Sequence, residues 1–213
     1  MNFDEFLESL SKIKNIPLPA EVSQFKMAPP FRKELLEHNK SQIKNAKQAG
    51  VLALFYADLN NMTTLVLILR KTYNGVHSAQ VAFPGGKLED FDNSLKDAAI
   101  RETFEEVGVP INSIEIVKTL SRVYIPPSNF YVQPFIGICN ATPSFIKQED
   151  EVESIIEVSL QHFLDENIVI KKTVKTSYNV EVEVPAYKIN GHIVWGATAM
   201  MLSEIKDLLK QLN

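Results

Sequence analysis

The sequence predicts an α/β sandwich, and three observations carry that expectation. Short aliphatic runs with strand character alternate with a few helix-period segments, the pattern of a sheet covered by helices. The clearest helical patterns stand near the start, in the middle and at the end of the chain. The 213 residues, 45% hydrophobic and 23% charged, suit one globular domain or one domain with an added subdomain.

Asp4 to Ile13 reads as an amphipathic helix, because Phe6, Leu7, Leu10 and Ile13 recur at helical spacing. Pro17 and Pro19 lie beyond its end and discourage continuation. After the breaker pair Pro29-Pro30, Phe31 to Ala46 has room for another short helix. This front section is expected to pack on the main domain or to form a dimer contact. Val51 to Ala57 and Thr64 to Leu69 are strand-like, and Asp58-Leu59-Asn60-Asn61 between them supplies turn chemistry, so the two predict a hairpin. Pro84-Gly85-Gly86 is a sharp break. From Ser94 to Val107 the period becomes helical, with Leu95, Ala98, Ala99 and Phe104 apolar, Ser94 as N-cap and Gly108 as the stop. Strand-like runs follow at Ile114 to Leu120, Tyr131 to Cys139 and Val180 to Ile189. Glu151 to Phe163 reads as a strand and then a short helix, and Ala197 to Leu212 as a final amphipathic helix.

Composition narrows the function classes. The net charge is -4, from 22 basic and 26 acidic residues, and no basic stripe stands out, so nucleic acid is not an expected partner. The single cysteine, Cys139, lies in an apolar stretch and reads as a small buried hydrophobe; one cysteine makes no intrachain disulfide and fits a reducing compartment. The most apolar segment, Thr64 to Leu69, is closed by Arg70, far short of the ~20 residues a spanning helix needs. The first residues carry acids where a secretory signal carries bases. The expected compartment is the cytoplasm, with no membrane partner.

The chemistry is concentrated in Phe83-Pro84-Gly85-Gly86-Lys87-Leu88-Glu89-Asp90 and in Ala99-Ile100-Arg101-Glu102-Thr103-Phe104-Glu105-Glu106-Val107-Gly108-Val109. At ~100° per residue, Glu102 and Glu106 stand nearly above one another on a helix and Glu105 lies to one side. Arg101 and Glu105 are an ion pair's reach apart along the same helix. Like charges so spaced oppose helix stability by roughly a few tenths of a kcal/mol per pair, which a divalent cation would relieve. The candidate ligands are all oxygens, a set that suits Mg²⁺ or Mn²⁺ and not zinc. Gly85 and Gly86 let the backbone approach a ligand without Cβ interference. A bare Glu-x-x-Glu-Glu is more often a solvated helix face; the glycine turn ahead of it shifts the balance toward a diphosphate site.

Gly86 through Val109 resembles the Nudix box, which begins with Gly, places a Glu midway and ends Arg-Glu-aliphatic-x-Glu-Glu-x-Gly-aliphatic. Two departures are visible: Gly86 to Arg101 is a single residue longer than usual, and Thr103 replaces the aliphatic residue. Counted forward from Gly86 the midway acid is Asp92; counted back from Arg101 the position is Asn93. The longer loop, the opening Phe83-Pro84-Gly85-Gly86-Lys87 and an aspartate at that place are similar to the coenzyme A diphosphatase branch. Leu67-Ile68-Leu69-Arg70 through His77 to Gly86 resembles that branch's upstream signature, with Gly75 and Ala79 where an arginine and a glycine are usual. Val132 to Gly137 and Trp195-Gly196-Ala197-Thr198-Ala199 look like its later blocks.

The resemblance implies a Nudix fold, a mixed β-sheet sandwiched between helices, over residues 48–213, with a helical extension at residues 1–47. It implies a divalent-metal-dependent pyrophosphohydrolase using Mg²⁺ or Mn²⁺ and cleaving coenzyme A or a derivative to phosphopantetheine and adenosine 3',5'-bisphosphate. Glu102 and Glu106 are the expected metal ligands, and Glu105 a further ligand or the group that positions the attacking water. Arg101 would orient Glu105, and Gly85, Gly86, Arg70 and Lys87 would meet the substrate. A general base from a later loop falls on Glu151 or Glu153. Lys71 and His77 read more simply as surface residues, and Tyr124 and Trp195 as core aromatics, than as substrate contacts. Other readings stay open: another nucleoside diphosphate derivative as substrate (ADP-ribose, NADH, a dinucleoside polyphosphate), an inactive Nudix-fold binding module, and a homodimer.

Overall fold

The computed structural model of the protein describes residues 1–72, 80–176 and 180–212. Four short helices open the chain: α1 (Phe3–Ile13), α2 (Ala20–Gln24), α3 (Arg32–His38) and α4 (Lys40–Ile43). The strands β1 (Lys47–Ala57), β2 (Thr63–Arg70), β3 (Val81–Ala82) and β4 (Gly85–Lys87) lead into α5 (Leu95–Val107). Then come β5 (Ile114–Thr119), β6 (Val123–Ile125), β7 (Phe130–Cys139), β8 (Val152–Ser159) and α6 (Leu160–Leu164). The chain closes with β9 (Val169–Lys175), β10 (Glu181–Ile189), β11 (His192–Val194) and α7 (Gly196–Lys210).

Among the described residues the principal sheet has eight strands and is mixed. Its spine runs β3-β2-β1-β7-β5, with β4 beside β1, β6 beside β7 and β8 beside β2. β1 and β7 are parallel from Lys47↔Phe130 to Phe55↔Ile138, and the other pairs are antiparallel. The expected hairpin is present as β1 and β2, paired from Phe55↔Leu65 to Ala57↔Thr63. β9, β10 and β11 form a separate antiparallel sheet.

Side chains alternate across β1 and so build two cores. Ala49, Ala53 and Phe55 join Phe3, Phe6, Leu10 and Ile13 of α1 and Ile205, Leu208 and Leu209 of α7 in one cluster. Leu52, Leu54 and Tyr56 face the other way and join Ala99 and Val107 of α5. The sheet therefore lies between helices on both faces, as the pattern of strands and helices predicts.

α1 is integral to the first core. Its capping box is complete: the Asn2 side chain accepts from the Glu5 N–H, and the Glu5 carboxylate accepts from the Asn2 N–H. At its other end the Lys118 ammonium donates to the carbonyls of Ile13, Lys14 and Ile16, the place where a helix favours a cation. Phe6 is fully buried, with its ring 5.0 Å from that of Phe55.

Two differences from the sequence expectation have local causes. Phe31 to Ala46 is divided at Asn39, whose amide side chain donates to the Leu35 carbonyl and closes α3 before α4 begins. β9 was not foreseen, because Val169 to Lys175 is mostly exposed and interrupts its apolar residues with Lys171-Lys172-Thr173.

Removing the Phe6 ring should destabilise the whole protein by about 3–5 kcal/mol, as for a buried aromatic truncated to alanine. Chemical denaturation of Phe6→Ala checks this; an unchanged midpoint would mean that α1 is an independent appendage.

Candidate active site

The site is built on the first turns after β4 and along α5. Ser94 caps the helix by accepting from the Asp97 N–H, and Gly108, at φ 77, ends it with its N–H on the Phe104 carbonyl. Ala98, Ala99, Thr103 and Val107 face the sheet, and Glu106 lies among them. Thr103 stands where the box consensus has an aliphatic residue. It is fully buried, and its hydroxyl donates to the Ala99 carbonyl at 2.7 Å, so a branched side chain fits there without an unpaired polar atom.

Beside the helix, β4 lies against β1 with Gly86 opposite Gly50 and Gly85 opposite Val51. The approach of strand to helix is close: a Cβ on Gly86 would fall 2.3 Å from the Glu102 carboxyl carbon. A side chain at position 86 would displace the Glu102 carboxylate from this place, so glycine lets the carboxylate lie against the strand.

Arg101 organises one half of the site. Its Nε and Nη2 donate to the two oxygens of Asp92, both at 2.9 Å, a fork that holds the guanidinium in one plane. Nη1 donates to Glu102 at 2.8 Å and to Glu105 at 2.9 Å, and Nη2 also reaches the Lys87 carbonyl at 3.2 Å. The Phe91 ring stacks on the guanidinium at 5.2 Å. The Arg101–Glu105 pair foreseen from the helical spacing is present, and Asp92, not Asn93, is the acid that answers Arg101. Aspartate is one methylene shorter than glutamate; the longer loop brings its side chain within reach. The hydrogen bonds from Arg101 hold Asp92 below the usual carboxylate range and hold Arg101 further toward its charged form.

Glu106 defines the other half. It is 2% exposed; one oxygen accepts from the Gly85 N–H at 2.9 Å and the other from Arg70 Nη1 at 3.1 Å. Burial is the main force on its proton and pushes it up to about 7, against the Gly85 bond and Arg70 and with help from the charges of Glu102 and Glu151. Glu102 is raised as well, first by burial and then by Glu105 and Glu151, with Arg101 opposing.

Glu151 reaches the site because the preceding segment is pinned to α5. The N–H groups of Ile146 and Gln148 donate to the carbonyls of Val107 and Glu106, both at 3.0 Å, and the Glu151 N–H donates to the Gln148 side chain. Its carboxylate stands 3.8 Å from Arg70 Nη2. Glu153, the other candidate base, is exposed on β8, and the structure gives it no side-chain contact with this group. Lys87 is exposed and pairs with Glu89 at 3.1 Å. Tyr124 is buried and Trp195 partly buried at the start of α7. Gly75, His77 and Ala79 lie outside the described residues.

The side chains that converge on Gly85 and Gly86 are therefore Glu102, Glu106, Arg70 and Arg101, with Glu105 and Glu151 at the rim. Among the described residues no three His, Cys, Asp or Glu side chains converge closely enough to hold an ion by themselves. The donors are carboxylate oxygens that raise one another's affinity for positive charge. Such a set fits a hard cation that takes one or two protein carboxylates and completes its shell with water and substrate phosphate.

The NUDIX domain model matches residues 46–176, more than half of the chain. A curated relative, the Uncharacterized Nudix hydrolase NudL of Yersinia pestis (strain Pestoides F), is 26% identical over 185 residues, covering 86% of this chain and 90% of that protein. Among solved structures, the Nudix hydrolase RenU from M. smegmatis superposes with a TM-score of 0.53 at 14% identity, covering 79% of this chain and 88% of the other. A MutT/nudix family protein from Enterococcus faecalis gives 0.51 at 16% identity, covering 78% and 62%. These structures share the fold.

The raised proton affinity of Glu106 has a stability consequence with a definite sign. Its folded value of about 7 exceeds the ordinary 4.5, so between these values the folded protein binds the extra proton. The contribution is fully present below about pH 4.5 and is lost as pH rises through about 7, on the order of 1–3 kcal/mol. Glu102 acts in the same direction. Melting in chelator should show the midpoint falling across this window and the slope shrinking in Glu106→Gln. A wild-type midpoint that stays flat or rises would contradict the raised proton affinity of buried Glu106.

Proposed function

The chain belongs to the NUDIX family as a hydrolase of pyrophosphate bonds, and we propose that its substrate is coenzyme A or a coenzyme A derivative. The products are then phosphopantetheine and adenosine 3',5'-bisphosphate. The observation that carries the hydrolytic reading is the group of carboxylates from α5 and Glu151 set against the Gly85-Gly86 backbone. Support for the substrate comes from the Phe83-Pro84-Gly85-Gly86-Lys87 opening and the lengthened loop, whose aspartate forms the fork with Arg101.

In this reading Glu102 and Glu106 hold Mg²⁺ or Mn²⁺, with Glu105 as a further ligand or the residue that positions water. The bound cation supplies neutralisation of charge on the diphosphate oxygens and activation of water. The protein's own part is largely positioning. Arg101, clamped by Asp92, keeps Glu102 and Glu105 in register. Gly85 and Gly86 let the diphosphate approach the backbone. Arg70 and Lys87 meet its negative charge, and their attraction grows as charge develops on the leaving oxygen. Glu151 stands nearer to Arg70 and Glu106 than Glu153 does and is the better placed base for an attacking water.

Incubation of pure protein and Mg²⁺ with coenzyme A, acyl-CoA, ADP-ribose, NADH and a dinucleoside polyphosphate tests the substrate. Coenzyme A or its acyl form should turn over fastest and yield the two named products. Turnover of another diphosphate with coenzyme A untouched would overturn the assignment. For the site itself, Glu106→Gln should lower turnover by at least about a hundredfold while leaving the protein folded. Near-normal turnover in that variant would remove Glu106 from the ligand set.

A further inference from the structure

The two arginines of the site are held very differently. Arg101 is locked by two parallel bonds to Asp92 and by single bonds to Glu102 and Glu105. Among the described residues Arg70 makes one side-chain hydrogen bond, from Nη1 to Glu106 at 3.1 Å, while its Nη2 stands 3.8 Å from Glu151, an ion-pair separation beyond hydrogen-bonding distance. Its side chain is 24% exposed and that of Glu151 is 54% exposed, so this pair lies at the solvent edge of the site while Glu106 is buried.

The backbone aims Arg70 here. The β2–β8 register shifts between Leu69 and Arg70: Leu69 pairs with Ser154 and Arg70 with Val152, so Glu153 is passed over. Such an irregularity re-aims a side chain beside a site. Two bonds fix the segment, from the Arg70 N–H to the Gln80 carbonyl at 3.0 Å and from the Lys71 N–H to the Glu151 carbonyl at 2.8 Å. The strand end is firm, and the guanidinium at its tip is lightly held.

The Glu106 oxygen that Arg70 engages is also an oxygen a divalent cation would use. Two positive groups drawn to one buried carboxylate oppose each other when close. We propose that Arg70 is a coupling residue: it competes with the divalent cation for Glu106, and once displaced it engages the substrate's diphosphate, so that cation and diphosphate each strengthen the other's binding. The inference rests on the reading of Glu106 as a metal ligand and adds to it an order of events at one side chain. Arg101, with its carboxylates on every side, has no freedom to take this role.

The consequence is a pair of opposite effects from one substitution. Without Arg70, the free protein binds the cation more tightly, since a competitor is gone. The same change weakens the mutual reinforcement, leaving only the part that direct contact between the cation and the diphosphate oxygens supplies. By linkage the reinforcement is identical whichever ligand is added first.

Mn²⁺ binding followed by electron paramagnetic resonance tests this without turnover. Titrations with and without methylenediphosphonate, a diphosphate that resists hydrolysis, compare wild type with Arg70→Met. Expected for Arg70→Met is Mn²⁺ affinity about fivefold or more above wild type. Methylenediphosphonate should raise wild-type Mn²⁺ affinity by on the order of tenfold and that of Arg70→Met by about threefold or less, the remainder being direct contact between cation and diphosphate. Arg70→Lys, which keeps the charge but not the fork, should fall between and serves if the methionine variant does not fold. Unchanged or weaker Mn²⁺ binding in a folded variant, or undiminished reinforcement, overturns the coupling role. A wild type that binds no Mn²⁺ overturns the metal reading itself, and the coupling role with it.

Discussion

Negative charge crowded against a glycine strand is the constraint on which the rest of the structure depends. Glu106 is buried, Glu102 fills the space a Gly86 side chain would need, and Glu105 and Glu151 stand at the rim. Burial makes Glu106 and Glu102 harder to ionise, and the charges of the neighbouring carboxylates add to the cost. The fold answers with Arg101, Arg70 and the Gly85 N–H. These offset part of the charge and leave a site that favours a further positive group.

Holding the carboxylates in that place requires the two-sided core. α5 rests on the sheet through Ala98, Ala99, Thr103 and Val107, small or branched residues that bring the helix close to β1 and β4. α1 and α7 cover the opposite face and keep β1 buried along most of its length. The segment ahead of β8 is then pinned to the C-terminal end of α5, which brings Glu151 to Arg70. Stability and function meet in α5: one face packs, and its edge carries the charge.

Much of this was legible in the sequence, for reasons that differ by element. α1, α5 and α7 show helical periodicity over several turns, and the β1–β2 hairpin has turn residues between aliphatic runs. The Arg101–Glu105 pair follows from helical spacing alone. The Arg70–Glu106 contact was not legible, since it joins residues 36 apart that meet only when β2 lies beside α5. Counting along the box left Asp92 and Asn93 open, and only the path of the loop decides which meets Arg101. The same holds for Glu151 and Glu153: a register shift and two backbone bonds bring one to the site and leave the other on the exposed side of β8. β9 carried too little apolar alternation to be seen without its partner β10.

On the proposed reading the α5 carboxylates gather a divalent cation beside Gly85 and Gly86. Anomalous diffraction from crystals soaked in Mn²⁺ and methylenediphosphonate tests it most directly. A peak is expected within about 2.0–2.3 Å of oxygens from Glu102 and Glu106, with diphosphate oxygens completing the shell. A soaked crystal with ordered diphosphate and no peak between those two side chains would contradict it.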